Sequence, residues 1–425
     1  MQFVLPRSVN IKSKYYPRHF AIVAEAFAAL KWHDSVDTVE PGEWAIVVRS
    51  PGSRGVSRPT AKQMGIPCAF DLLSAEELDA VRTKGGRILV DFGWEILNPT
   101  LEIVTGLSAT LAELEIDPSR VVLFHSNQAA RQRFNNLWRQ TTSAPPPLGL
   151  EYPVGLALHV IHQQKKLDAE RNEARRLQAR HQNEQARRSR LFVSFNGEVR
   201  PHRLYIGAAL ESMGLLERGY FSLVYPKKRV DESFDALRAQ SVKWFAKLPR
   251  GREFMDAAAR LIGRLPIQLD LAALPTGNIE ELAWESQDPM YYDDSRFTIV
   301  VDTTMFEEEC LFVTEKVLKP IMNHSPFMLI GSPGGIDLLR SYGFKTFEPY
   351  LRQSDSSDAN AILTSAIDEV ERISKFDEPE LAEFSNGVAA ICDYNAAHFW
   401  TGFPQLLEQQ FHQCMLAIGP KLSAN

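Results

Sequence analysis

The sequence lacks the short motifs that mark several common enzyme classes. It contains no GxGxxG and no GxxxxGK[ST] run, which argues against a dinucleotide-binding fingerprint and against a P-loop. It contains no Gly-x-Ser-x-Gly elbow. It also has no Asp-x-Asp triplet that could clamp a metal ion on a diphosphate. Dehydrogenases, kinases, P-loop ATPases and serine hydrolases are therefore disfavoured.

Cysteines and long apolar runs are also scarce. The four cysteines lie far apart with no CxxC pair, so neither a zinc site nor a disulfide framework is indicated. No stretch of about 18 uncharged apolar residues occurs. The first residues, "MQFVLPRSVNIKSKYYPRHF", lack the apolar centre of a signal peptide. We expect a cytoplasmic protein, and peripheral contact with a membrane stays open.

The chain is long enough for two hydrophobic cores. Its 425 residues are 44% hydrophobic and 24% charged, typical of a globular protein. The net charge of -6 argues against a general nucleic-acid binder. We expect an N-terminal lobe over residues 1–162, a connector over 163–190 and a C-terminal lobe with terminal helices over 191–425.

The connector has an unusual composition. Residues 163–190 contain nine Lys or Arg against four Asp or Glu and no strand-forming run. This favours a long, exposed, basic helix between the lobes. The alternative is a patch for nucleic acid or an anionic membrane, or a scaffold for polyanions.

Both lobes alternate between strand-like and helix-like segments. In the first, strands such as "EWAIVVRS", "RILVDF" and "RVVLFHSN" alternate with helices, one of which opens on the capping box of "SAEELDAVRTKG". Residues 143–153, "SAPPPLGLEYP", predict a loop. A second such alternation starts at residue 191. The pattern predicts an α/β protein with parallel sheets.

The stretch "LFVTEKVLKPIMNHSPFMLIGSPGG" carries the first candidate site. Thr314 is a plausible N-cap, which places Glu315 and Lys316 in a first helical turn where an anion is favoured. Lys316 suits a phosphate, and Glu315 can accept hydrogen bonds from a diol such as a ribose. Pro320 should kink or shorten this helix. The alternative is a solvated helical turn with no ligand.

The stretch "SFNGEVRPHR" carries the second candidate site. A strand is followed by a polar loop with Asn196, Arg200, His202 and Arg203, near the start of a helix. Guanidinium groups match phosphate oxygens in pairs of hydrogen bonds. The alternative is that Arg200 and Arg203 close surface salt bridges and that His202 only begins the helix.

The third candidate is "ILVDFGWEILNP", where a strand ends in Asp91 and Glu95 follows. A carboxylate there could act as general base on an acceptor hydroxyl, and Trp94 could supply apolar surface beside it. The alternatives are a helix N-terminal charge for Glu95 and a core position for Trp94. His125 is a second candidate base.

The C-terminal lobe resembles the donor-binding domain of the α-1,3-fucosyltransferase family and its bacterial and phage relatives. The resemblance covers roughly residues 191–350 and is clearest in Phe306, Glu307, Thr314–Lys316, Pro326 and Gly331. It implies a GT-B fold, in which two Rossmann-like lobes face each other across a cleft. It also implies inverting transfer of fucose from GDP-fucose without an obligatory metal ion.

By position, the resemblance assigns Glu315 to the ribose or sugar hydroxyls and Lys316 and Arg203 to the diphosphate, with Arg200 as a further phosphate partner. The acceptor would be a glycan or glycolipid. The usual Asn-Ser after Phe-Glu is replaced by "EEC" and the first lobe has no close match. Glu95 is therefore assigned as base from its strand-end position alone. Another nucleotide sugar, retention of configuration, or a non-catalytic nucleotide- or glycan-binding protein remain as alternatives.

Overall fold

The computed structural model describes residues 2–5, 18–27, 31–33, 35–39, 44–50, 53–93, 97–166, 188–224, 234–267, 269, 289–307 and 309–418. The chain forms two compact units. Unit 1 comprises Met1–Lys166, Glu308–Phe312 and Pro404–Asn425. Unit 2 comprises Leu167–Glu307 and Val313–Phe403.

Unit 1 contains a parallel sheet of six strands in the order β2-β1-β3-β4-β5-β6. Its strands are β1 (Gln2–Val4), β2 (Lys31–His33), β3 (Trp44–Arg49), β4 (Arg87–Asp91), β5 (Val121–His125) and β6 (Leu148–Glu151). The central strands β3, β4 and β5 are buried along almost their whole length, as expected for a parallel sheet covered on both faces.

Helices alternate with these strands. They are α1 (Arg18–Phe27), α2 (Arg58–Met64), α3 (Ala75–Thr83), α4 (Leu101–Glu113), α5 (Ala130–Thr141) and α6 (Val154–Lys166). The predicted capping box is present at the start of α3, where Ser74 accepts from the N–H of Glu77 and Glu77 accepts from the N–H of Ser74. Such a box stabilises a helix because it satisfies two otherwise free donors.

Two later segments of the chain also belong to unit 1. One contains Leu311, whose carbonyl accepts from the N–H of Gln128 at 2.9 Å and whose N–H donates to Asn127 Oδ1 at 3.0 Å. The other holds all but the first two residues of α15 (Gly402–Ile418). From α15, Phe411 packs against the rings of Phe20, Phe124 and Tyr152.

Unit 2 contains a parallel sheet of four strands in the order β10-β9-β7-β8. Its strands are β7 (Arg190–Asn196), β8 (Tyr220–Leu223), β9 (Ser295–Val301) and β10 (Phe327–Ile330). The chain adds β8 on one side of β7 and β9 on the other, so the strand order reverses between β7 and β9. Ligands of open parallel sheets bind beyond the carboxyl ends of the strands at such a reversal.

Unit 2 also contains eight described α-helices, some between its strands in the chain and the others after its last strand. They are α7 (Pro201–Ser212), α8 (Phe234–Phe245), α9 (Met255–Gly263), α10 (Pro289–Asp293), α11 (Leu318–Met322), α12 (Gly335–Ser341), α13 (Ala359–Ser374) and α14 (Glu378–Trp400). The predicted α/β class with parallel sheets is therefore confirmed in each unit. No helix among the described residues is long and apolar enough to cross a membrane.

One predicted loop is wrong. Leu148–Glu151, inside the predicted loop 143–153, form the edge strand β6 and pair with β5. The three prolines before it and Gly149 masked a strand of four residues, and prolines are tolerated at a sheet edge. The predicted basic helix falls mostly on residues 167–187, which lie outside the described residues.

Candidate anion-binding site

The candidate site of unit 2 lies at the carboxyl ends of β7 and β9, where the strand order reverses. Asn196 is the last residue of β7 and Asp302 follows the last residue of β9. The loop after β7 leads into α7, which begins at Pro201. The fold thus brings "SFNGEVRPHR" and "VVDTTMF" to one edge of one sheet.

Asp302 accepts four hydrogen bonds at this edge. It is completely buried, and its two carboxylate oxygens accept from the N–H of Thr303 at 2.6 Å and from the N–H of Thr314 at 3.0 Å. Its backbone carbonyl accepts from His202 Nε2 at 2.9 Å and from Arg203 Nη2 at 3.1 Å. Burial raises the pKa of Asp302, and the nearby Lys316 opposes this shift.

Arg203 is a buried cation in the first turn of α7. Its side chain donates to the carbonyl of Glu198 at 3.0 Å, to the carbonyl of Asp302 and, at 3.4 Å, to Thr303 Oγ1. All of these acceptors are neutral, and Arg203 is only 3% exposed. Burial, together with the neighbouring charge of Arg200, lowers its pKa to about 10, although nearby carboxylates oppose this shift. Arg203 therefore remains charged at neutral pH.

Lys316 reaches the same hydroxyl group as Arg203. Its ammonium donates to Thr303 Oγ1 at 3.1 Å and lies 3.5 Å from Thr314 Oγ1. The Oε1 atom of Glu315 is 3.5 Å from the same ammonium. Two cations from segments more than 100 residues apart in the chain thus meet at one threonine.

The turn that carries Lys316 is a short, capped element. The hydroxyl of Thr314 accepts from the N–H of Lys316, as expected of an N-cap, and Glu315–Val317 form a 3-10 turn. It continues into α11, which has 5 residues and includes Pro320. This agrees with the predicted shortening of the helix.

Asn196 and Arg200 are the other predicted residues of this edge. Asn196 is 1% exposed; its Nδ2 donates to Ser194 Oγ at 3.1 Å, and its Oδ1 accepts no hydrogen bond from any described residue. Arg200 forms a 3.5 Å ion pair with Glu198. Because Arg200 is one-third exposed, this pair contributes little to stability.

His202 is an uncharged side chain that hydrogen-bonds to the backbone of Asp302. Burial lowers its pKa to about 4, so that at neutral pH Nε2 carries a proton and donates it to the carbonyl of Asp302. Its ring meets the ring of Phe306 edge to face at 5.9 Å. Phe306 itself is 41% exposed, although His202 is buried.

Sequence reasoning missed Asp302 and Thr303. A usable signal was present, since "FTIVVDT" places an aspartate directly after a β-branched strand, where ligand-binding residues of parallel sheets lie. The long-range partners of Asp302 have no sequence signal.

In unit 1, Glu95 lies outside the described residues, so its position as base stays a prediction. Asp91 ends β4 and is completely buried; burial raises its pKa to about 6. His125 ends the neighbouring strand β5 and is also completely buried; burial lowers its pKa to about 3. His125 is thus uncharged near pH 6, and the carboxylate of Asp91 begins to take up a proton there.

Comparisons with known proteins do not assign the chain to a family. No protein-family model matches the sequence. No curated protein matches it either.

Solved structures of three other proteins are similar over most of the chain. An α,α-trehalose 6-phosphate synthase of Burkholderia multivorans has 13% identity, with 90% of this chain and 73% of that chain covered and a TM-score of 0.36. A UDP-forming trehalose-phosphate synthase of Burkholderia xenovorans has 12% identity, with 90% and 75% covered and a TM-score of 0.38. The N-terminal domain of a Candida albicans trehalose-6-phosphate phosphatase has 11% identity, with 89% and 71% covered and a TM-score of 0.39. These likenesses are too distant to carry an argument about activity.

Proposed function

We propose that this protein is a GT-B glycosyltransferase that moves a sugar from a nucleotide sugar to a hydroxyl group of an acceptor. The observation that supports this is the pair of cations at Thr303. Arg203 is buried and, among the described residues, donates only to neutral oxygens. Burial disfavours its charge more than the nearby carboxylates of Asp302, Glu198 and Glu315 favour it. A bound anion would offset that cost, and guanidinium and ammonium groups match phosphate oxygens.

The proposed roles follow from position. Arg203 and Lys316 bind the diphosphate of the donor, with Arg200 as a further phosphate partner. Glu315 accepts hydrogen bonds from ribose or sugar hydroxyls, while Thr314 and Asn196 complete the donor site.

In the proposed arrangement, unit 2, which makes up most of residues 191–425, binds the donor. Unit 1, which contains residues 1–162, binds a glycan or glycolipid acceptor, and residues 163–190 are the connector. The resemblance to α-1,3-fucosyltransferases favours GDP-fucose as donor.

The proposed reaction is a direct displacement with inversion. The acceptor oxygen forms a bond to the anomeric carbon while the bond from that carbon to the β-phosphate oxygen breaks. The proton of the acceptor hydroxyl passes to a general base, for which Glu95 is the candidate. The leaving nucleoside diphosphate gains negative charge, which Arg203 and Lys316 stabilise without an obligatory metal ion.

A thermal-shift panel of GDP, UDP, ADP, CMP and dTDP tests the donor site. A ligand at about a hundred times its dissociation constant adds about 2.7 kcal/mol to the free energy of unfolding. We expect a shift specific to GDP that Lys316→Ala largely removes. The matched control is Lys375→Ala, because Lys375 is 71% exposed and pairs with Glu371 on α13. Equal shifts for all five nucleotides, or none, would contradict the proposal.

Glu95→Gln tests the proposed base. We expect GDP binding to be unchanged and sugar transfer from GDP-fucose to be lost, because the amide cannot take the acceptor proton. Transfer that survives this substitution would show that another group is the base. A wild-type protein that binds GDP but releases none from GDP-sugars with any acceptor would instead be a non-catalytic binding protein.

A further inference from the structure

Asp302 connects three separate segments of unit 2. Its carboxylate oxygens hold the backbone of Thr303 and Thr314, and its carbonyl accepts from His202 and Arg203. The three segments are the first turn of α7, the end of β9 and the turn before α11. Of these four residues, Arg203 is itself one of the two cations and His202 precedes it in the chain. The hydroxyls of Thr303 and Thr314 lie within 3.5 Å of the other cation, the ammonium of Lys316.

The geometry gives each carboxylate oxygen a separate task. The bond to the N–H of Thr303 fixes the backbone of the residue whose hydroxyl contacts both Arg203 and Lys316. The bond to the N–H of Thr314 fixes the start of the turn from which Lys316 projects. Two cations repel each other, so their approach to one hydroxyl needs such a restraint.

Burying a carboxylate costs free energy, even when it accepts hydrogen bonds from two backbone N–H groups. Asp302 is completely buried, and burial alone raises its pKa. A carboxylate is nevertheless the side chain that can accept on both oxygens while its charge offsets that of the nearby Lys316. This combination would be superfluous if the residue only filled space at a strand end.

We propose that Asp302 is a positioning residue that holds the Arg203 guanidinium and the Lys316 ammonium together on Thr303, ready for a diphosphate. The identity of the anion rests on the proposed function, whereas the role of Asp302 requires only that an anion binds.

Asp302→Asn tests this inference with inorganic pyrophosphate, GDP and guanosine as probes, by isothermal titration calorimetry. The amide group of asparagine faces a backbone N–H, so one of the two restraints is lost. We expect the affinities for pyrophosphate and GDP to fall roughly tenfold to a hundredfold and the affinity for guanosine to stay unchanged. A merely structural role would weaken GDP and guanosine binding alike.

Glu369→Gln is the matched control. Glu369 is a buried carboxylate of the same unit that accepts from the N–H of Arg352 and from the side chain of Arg372. We expect this variant to lose stability but to keep its affinity for pyrophosphate. If Asp302→Asn weakens pyrophosphate binding no more than Glu369→Gln does, the inference is overturned.

Gly331→Ala is a second variant that keeps the charge of Asp302. A methyl group on Gly331 would lie 2.9 Å from the Cβ atom of Asp302, so either Asp302 or the backbone of Gly331 that faces it must shift. A methyl group on Gly335 would meet only ordinary contacts, at 3.7 Å, so Gly335→Ala is its control. We expect only Gly331→Ala to lose pyrophosphate affinity. Unchanged affinity in Gly331→Ala overturns the inference if Asp302→Asn does not fold.

The same titrations separate this inference from the proposed function. Wild-type protein that binds pyrophosphate but no nucleotide would refute the proposed function, while the loss in Asp302→Asn would still support the positioning role. Wild-type protein that binds neither would refute both, because there would be no anion for the cations to hold.

Discussion

Replacing Arg203 with methionine should weaken anion binding far more than it weakens the fold. Methionine keeps much of the apolar length of the arginine side chain and removes the guanidinium. In the ligand-free protein this group is 3% exposed and contacts only neutral oxygens among the described residues. Its pKa of about 10 shows that burial disfavours the charged form.

The two effects can be weighed from the structure. The displacement of the Arg203 pKa from 12.5 to about 10 corresponds to about 3 kcal/mol that the folded protein spends on the charge. The variant regains this free energy but loses three hydrogen bonds from a charged donor, which contribute about 1.5 kcal/mol each. The free energy of unfolding of the ligand-free protein should therefore change by less than about 2 kcal/mol.

The loss in binding should be larger. A hydrogen bond between charged groups contributes about 1.5 to 3 kcal/mol, which is roughly a 10- to 150-fold change in a dissociation constant. Because Arg203 is shielded from water, salt should screen its contribution only weakly. We expect the dissociation constant for GDP to rise by this factor in Arg203→Met.

Urea unfolding of the ligand-free proteins and calorimetric titration with GDP measure the two quantities separately. Arg264→Met is the control, since Arg264 is 45% exposed and pairs with Glu211 and Glu217 of the same unit. Unchanged GDP affinity in Arg203→Met would refute the role of the guanidinium as an anion ligand. A loss of more than about 4 kcal/mol in the free energy of unfolding would show instead that Arg203 mainly supports the fold.

Two further predictions concern unit 1. His125, whose pKa is lowered to about 3, stays neutral in the folded protein while the unfolded chain takes up a proton below pH 6.5, so its contribution to stability is lost as the pH falls. Between pH 7 and pH 5 this loss in the free energy of unfolding is about 2 kcal/mol. Urea unfolding at both pH values should show that His125→Phe abolishes the loss. An unchanged pH dependence in the variant would show that His125 is not the group whose protonation in the unfolded chain lowers stability. Phe411→Ala should lower the free energy of unfolding by about 3 to 5 kcal/mol because Phe411 packs against four aromatic rings of unit 1. Leu416→Ala, at a 67% exposed position, should change it by about 0.5 kcal/mol or less. Equal effects of the two substitutions would show that this face of α15 is not packed.

The α/β class was predictable because local signals agree with the fold. The capping box at Ser74 and the β-branched strand β9 are read correctly from neighbouring residues alone. The strands that escaped prediction, such as β6 and the three-residue β1, are too short for a period of two to appear. Their place in the sheet depends on pairing with distant strands, which a local pattern does not contain.

In the candidate site, too, features that depend on neighbouring residues could be predicted, whereas features that depend on distant residues could not. Lys316 and Arg203 could be chosen as candidates from the sequence because a cation beside a helix start has a recognisable pattern. The position of Asp302 after a β-branched strand is visible in the sequence, but its proposed role is not, because its partners lie about 100 residues before it and 12 residues after it in the chain. Sequence reading therefore finds candidate ligand-binding side chains more readily than the residues proposed to hold them in place.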